Sequence, residues 1–141
     1  MDFDRLKHSY QVALKMQEIG KKLCLNEDEI NELFILGLNH DIGYAFTNNH
    51  MEHNKIGGEL LKNQNYKYWK EVYYHGETDV DYTSKYLDIL NLADMQTDRY
   101  GNSVDFEKRL LDIRFRYGID SETYKKGCRL VKELSQKYKV N

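Results

Sequence analysis

Apolar spacing limits this chain more than any other feature. From Leu6 to Leu23, apolar residues recur at Tyr10, Val12, Ala13, Met16 and Ile19. Most gaps are three or four residues, the period of one helix face. Asn26 followed by Glu27, Asp28 and Glu29 reads as an N-cap with acidic residues suited to the first turn of a second helix. Ile30, Leu33, Phe34, Leu36 and Gly37 continue that helix to an expected stop near Gly43. Further helices are expected over 54–63, 66–75, 84–97, 104–117 and 121–139, with Gly76, Gly101 and Gly118 punctuating the later gaps. No proline interrupts the pattern, and no window alternates like a strand or repeats. The expectation is an all-α fold of about seven helices, without an internal boundary between residues 1 and 141.

Composition narrows the function classes. The net charge of -2 argues against a nucleic-acid or anionic-membrane partner, because either needs a basic face. No apolar run nears the roughly 18 residues of a membrane span. The first residues, MDFDRLKH, lack the charged-then-apolar order of a signal peptide. Cys24 and Cys128 have no CxxC context, so they are expected to be buried packing thiols in a reduced, cytoplasmic setting. The amphipathic segment 124–138 has a face that its own core or a second copy of the chain can cover, so a homo-oligomer is open.

The stretch FILGLNHDIGYAF sets His40 and Asp41 within an otherwise apolar run. A buried charge without a partner is costly, so the pair needs a hydrogen-bond network or a cation. His8 lies four residues before Val12 and eight before Met16, on the apolar face of the first helix. His53 opens a helix with Gly57 and Gly58 one turn later, leaving room for close packing. His75 closes an aromatic helix, and Asp94 follows Leu87 and Leu90 at helical spacing. One histidine on an apolar face is usually an ordinary core residue. Six such groups, with no matching inward Lys or Arg, most simply satisfy one another through a cation. His50 sits in the loop TNNHMEH and is expected at the solvent.

HSYQVA at 8–13, LNHDIGY at 38–44, HNKIGGELL at 53–61, YYHGE at 73–77 and LNLADMQTD at 90–98 together resemble the HD-domain metal-dependent phosphohydrolases. The later segment DRYGNSVDFEKRLLDIRFRYG is similar to the tail of small bacterial HD proteins. The resemblance implies a single HD domain over 1–141, with its ligands within about 5–98 and C-terminal helices over about 104–139. It makes His8, His40, Asp41 and Asp94 ligands of one metal ion, with His40, Asp41 and Asp94 at the catalytic centre. In dinuclear members two further histidines hold a second ion, and His53 and His75 occupy the matching positions, with Asp41 bridging. Tyr44 stands where relatives often carry lysine, and Tyr74 precedes His75 where a paired HH is common.

A nitrogen and oxygen donor set suits one or two ions of Mn, Fe, Co, Ni or Zn more than a structural thiolate site. In an open site such an ion lowers the pKa of bound water from about 16 toward 7. The expected activity is hydrolysis of a small phosphate compound, a nucleotide among the candidates. Di-iron oxygenase chemistry and a non-catalytic nucleotide-binding domain are the alternatives that the same ligands permit. Arg5, three residues before His8, is a candidate phosphate contact, and Arg99 a second. Lys55 is expected at the solvent. Asp98 is a candidate for positioning water or substrate, or for a cap or a salt bridge with Arg99. Tyr44 and Tyr74 adjoin ligands and are candidates for stacking a substrate.

Overall fold

The computed structural model describes residues 2–138. Among them are seven α-helices: α1 (Phe3–Lys22), α2 (Glu27–Asn39), α3 (His53–Asn63), α4 (Trp69–Tyr74), α5 (Lys85–Asp94), α6 (Phe106–Tyr117) and α7 (Glu122–Lys137). A 3-10 turn covers Ile42–Ala45. No β-strand occurs among the described residues; an isolated bridge joins Thr97 and Ser103. The expected all-α architecture is therefore the observed one. The last expected helix position, Lys139, lies outside the described residues.

Local chemistry sets the helix starts. Asn26 accepts from the Glu29 amide while the Glu29 side chain accepts from the Asn26 amide, a reciprocal capping box. Asp2, Ser84, Asp105 and Ser121 cap α1, α5, α6 and α7 in the simpler way. Such caps stabilise by typically about 1 kcal/mol each. Gly118, at φ 98°, ends α6 in a conformation that an L side chain resists.

Two apolar clusters hold the helices together. Val12, Met16, Leu33, Leu36, Val72, Ile89 and Leu90 form the centre of the first, which joins α1 to α5. Leu92, Met95, Ile113, Leu130 and Leu134 form the second, which seats α6 and α7 on the end of α5. Full burial of a leucine-sized side chain is worth roughly 1.5–3 kcal/mol. Helix α7 thus packs its apolar face on its own chain. The buried stripe of α1 is His8, Ser9, Val12, Ala13, Met16 and Gly20. Leu6 and Tyr10, read above as part of the apolar face, fall off this stripe and stay about half exposed. Cys24 is likewise not a buried thiol: it sits in the turn after α1, exposed, at φ 61°. Cys128 is partly buried. Among the described residues no helix is long and apolar enough to cross a membrane.

Candidate metal centre

Five helices, α1 to α5, and the 3-10 turn after α2 position the six donors. His8 is in the second turn of α1. Helix α2 ends at Asn39, earlier than the expected Gly43, so His40 is its C-cap and Asp41 starts the 3-10 turn. Tertiary contact explains the early stop. A Cβ on Gly43 would lie 1.8 Å from the His53 carbonyl oxygen, so the turn can press onto the start of α3 only with glycine there. That contact brings His53 beside Asp41. His75 leaves α4 in extended conformation, followed by Gly76 at φ 78°, and Asp94 is the last residue of α5.

Each of the four histidines is oriented by a backbone carbonyl. Nδ1 of His8 donates to Asp98 O (2.8 Å), of His40 to Gly37 O (2.7 Å), of His53 to His50 O (2.7 Å) and of His75 to Val72 O (2.6 Å). A carbonyl can only accept, so Nδ1 holds the proton and Nε2 presents a lone pair in the neutral ring. All four Nε2 atoms turn to the two carboxylates. Asp41 Oδ2 lies 3.3 Å from His40 Nε2 and 3.6 Å from His8 Nε2. Asp41 Oδ1 lies 3.2 Å from His53 Nε2 and 3.4 Å from His75 Nε2. Asp94 Oδ1 is 2.9 Å from His8 Nε2 and 3.7 Å from His40 Nε2.

Acceptors facing acceptors repel unless something positive lies between them. Nε2 of His40 is fully buried and has no hydrogen-bond partner. Burial works against its imidazolium, yet the Asp41 and Asp94 carboxylates outweigh that and push His40 up to about 9. Burial likewise opposes ionisation of the two aspartates, but the histidines hold both carboxyls well below their usual range. The donor atoms fall into three overlapping groups that could hold an ion: His8, His40 and Asp41; His40, His75 and Asp94; and Asp41, His53 and His75. Within each group the atoms lie within 4.8 Å of one another. An all-nitrogen-and-oxygen cage with an orphaned, buried Nε2 fits a divalent cation.

The cage is one wall of an open cleft of about 150 Å³. Arg5, Tyr44 and Arg99 line it too. Arg5 Nη1 is 3.5 Å from Asp41 Oδ2, and its guanidinium lies 3.5 Å from the centre of the Tyr44 ring. That ring also stacks on His53, with centroids 4.2 Å apart. Tyr44 is therefore held between Arg5 and His53, and neither ring face is free to stack a base. Arg99 is exposed at the rim and packs over Tyr100. Tyr74 turns away from the cleft, against Tyr73 and Tyr82. Lys55 is exposed.

Of the alternatives for Asp98, the cap is the one observed: its carboxylate accepts from the Tyr100 and Asn102 amides, it does not pair with Arg99, and only the Asp98 carbonyl reaches His8. One further expectation needs correction. His50, expected at the solvent, is partly buried, bonded to Thr123 Oγ1 (2.8 Å) and packed on Tyr117. It belongs to none of the three donor groups.

Arg109 overturns the expectation that no Lys or Arg points inward. It is buried, 8% exposed, with Nη2 3.7 Å from Asp94 Oδ1 and Nε donating to the Asp94 carbonyl (3.2 Å). Arg116 and Lys126 line the same cleft. The period of α6 held the signal, since Arg109 lies four residues before the buried Ile113.

A family model described as HD domain matches residues 5–132. No curated protein and no solved structure matches the chain.

Proposed function

The chain belongs to the HD-domain family, and on that premise we propose that it is a metal-dependent hydrolase of phosphoester or phosphoanhydride bonds in a small phosphate compound, such as a nucleotide. One observation carries the reading: four histidine lone pairs and two carboxylates converge at the wall of an open cleft. A closed cage would suit a structural ion; an open one leaves a position for water and substrate.

His8, His40, Asp41 and Asp94 would hold one ion, and His53 and His75, with Asp41 shared, a second. When bound, a divalent cation supplies Lewis-acid activation of water for attack on phosphorus. The rest is the work of the chain. The carbonyls of Asp98, Gly37, His50 and Val72 lock the four rings in one tautomer and one direction. Arg5 beside Asp41 and Arg109 beside Asp94 set fixed positive charge on two sides of the cage, where phosphoryl oxygens need it. Tyr44 braces Arg5 against His53 and so fixes its approach. Arg99 at the rim is the outer phosphate contact.

The test is turnover by protein loaded with each candidate metal, across phosphomonoesters, cyclic nucleotides, nucleoside polyphosphates and dinucleotides. Activity on at least one class is expected, abolished by chelation and by Asp41→Asn. Tight nucleotide binding with no turnover by any metal form would overturn the hydrolase and leave a binding domain.

A further inference from the structure

Helices α6 and α7 contribute none of the six donors, yet side chains of both line the cleft beside the cage. Among them are Arg109, Arg116, Thr123 and Lys126, in the same cleft as His53 and Asp94. Arg116 stands further out than Arg109: its Nη2 is 3.2 Å from Asp112 Oδ2, and that same oxygen is 3.6 Å from Arg109 Nη1. Lys126 stands on the other flank, its Nζ 2.8 Å from Glu77 Oε2, two residues beyond His75.

These ion pairs do not exhaust the charge. One carboxylate, Asp112, serves two guanidiniums. The other carboxylate near Arg109 is Asp94, whose Oδ1 already faces His8 and His40. The guanidiniums of Arg109 and Arg116 line the open cleft, and a phosphate oxygen is the acceptor that a guanidinium fits best. In a chain of net charge -2, five cationic side chains border this one cleft, against Asp41, Asp94 and Glu77. Such a concentration draws polyanions.

We propose that Arg116 and Lys126 form a subsite for a second phosphate, so that the substrate carries two or more linked phosphates. The inference rests on the hydrolase reading and deepens it. A phosphoryl group at the cage lies between Arg5 and Arg109, and the next phosphate along meets Arg116 and Lys126. Specificity for a phosphate chain over a lone phosphate then resides in helices that touch no metal.

The test compares inorganic pyrophosphate with orthophosphate as stabilisers of the metal-free protein, which removes chelation from the comparison. Ionic strength is held constant with chloride, and the thermal midpoint is read. Pyrophosphate should raise the midpoint well beyond orthophosphate at equal concentration. Arg116→Gln and Lys126→Gln should each remove most of that difference, whereas Lys55→Gln, on the exposed side of α3, should keep it. Equal shifts by the two anions in the wild type, or a difference that survives both cleft substitutions, would overturn the subsite. A second arm measures kcat and KM on a nucleoside polyphosphate and the matching monophosphate with metal-loaded protein. Arg116→Gln should raise KM for the polyphosphate about tenfold and change kcat less. No turnover of either compound by wild type, with the pyrophosphate preference intact, would defeat the hydrolase reading while leaving the subsite standing.

Discussion

Nε2 of His53 lies 3.2 Å from Nε2 of His75, and the Nδ1 protons of both rings are committed to backbone carbonyls. Asp41 Oδ1 shares the same small space, 3.2 Å from one nitrogen and 3.4 Å from the other. Three acceptors crowd together where a neutral protein has nothing to donate. A cation between them would relieve this.

Asp41 faces all four Nε2 atoms, so the cage depends on it more than on any other group. Asp41→Asn and His40→Ala are expected to lower the metal retained through gel filtration by at least about tenfold. His50→Ala should retain the wild-type content, because only the His50 backbone carbonyl serves the cage. Elemental analysis of the three purified variants checks this.

The metal-free protein should respond to pH in two opposite ways. The His40 value rises from 6.5 to about 9 on folding, so its contribution is fully present below about 6.5 and is lost as pH climbs through about 9. Asp41 and Asp94 are depressed below 3.8, so theirs is present above that value and is lost as pH falls through the folded-state values. The thermal midpoint of the metal-free chain should therefore decline between neutral pH and about pH 9. Metal must displace the His40 proton, so affinity should rise over the same interval, with proton release on binding. A midpoint flat across this range, or uptake without proton release, would contradict the assignment.

Legibility in the sequence follows the range of the interactions. The six donors stand out because each lies at a helix end or at helical spacing from apolar residues, as His8 does from Val12 and Met16. Asn26 and the glycines at 76, 101 and 118 act within one turn and are equally plain. Arg109 is different: its inward direction is written in the period of α6, but an inward arginine makes sense only once Asp94, fifteen residues away in sequence, is seen opposite it. The early end of α2 is also a long-range effect, set by the contact of Gly43 with His53. The position of Tyr44 beside the ligands suggests a stacking platform, but only the folded chain sets Arg5 and His53 on its ring.

Gly43→Ala tests that long-range contact. The new methyl must displace the start of α3, and overpacking of this kind typically costs about 1–3 kcal/mol. Because His53 moves with it, metal retention should fall together with stability. Denaturant unfolding and metal analysis on one sample check both.

Glu71 offers the opposite case, a buried group outside the centre. It is 3% exposed and accepts from the Tyr82 hydroxyl and from Ser84 Oγ (2.6 Å), tying α4 to the cap of α5. Glu71→Ala leaves the partly buried Tyr82 and Ser84 hydroxyls without this acceptor and should cost about 1 kcal/mol in denaturant unfolding. Metal content per folded molecule should not change.

The most direct measurement is anomalous scattering from a crystal grown with the metal that the protein retains, recorded on both sides of its absorption edge. A peak bounded by the Nε2 atoms of His8 and His40 and the carboxylates of Asp41 and Asp94 is expected, with a second peak between His53 and His75 if two ions bind. Metal-loaded crystals whose anomalous peaks all lie away from these side chains would contradict the account.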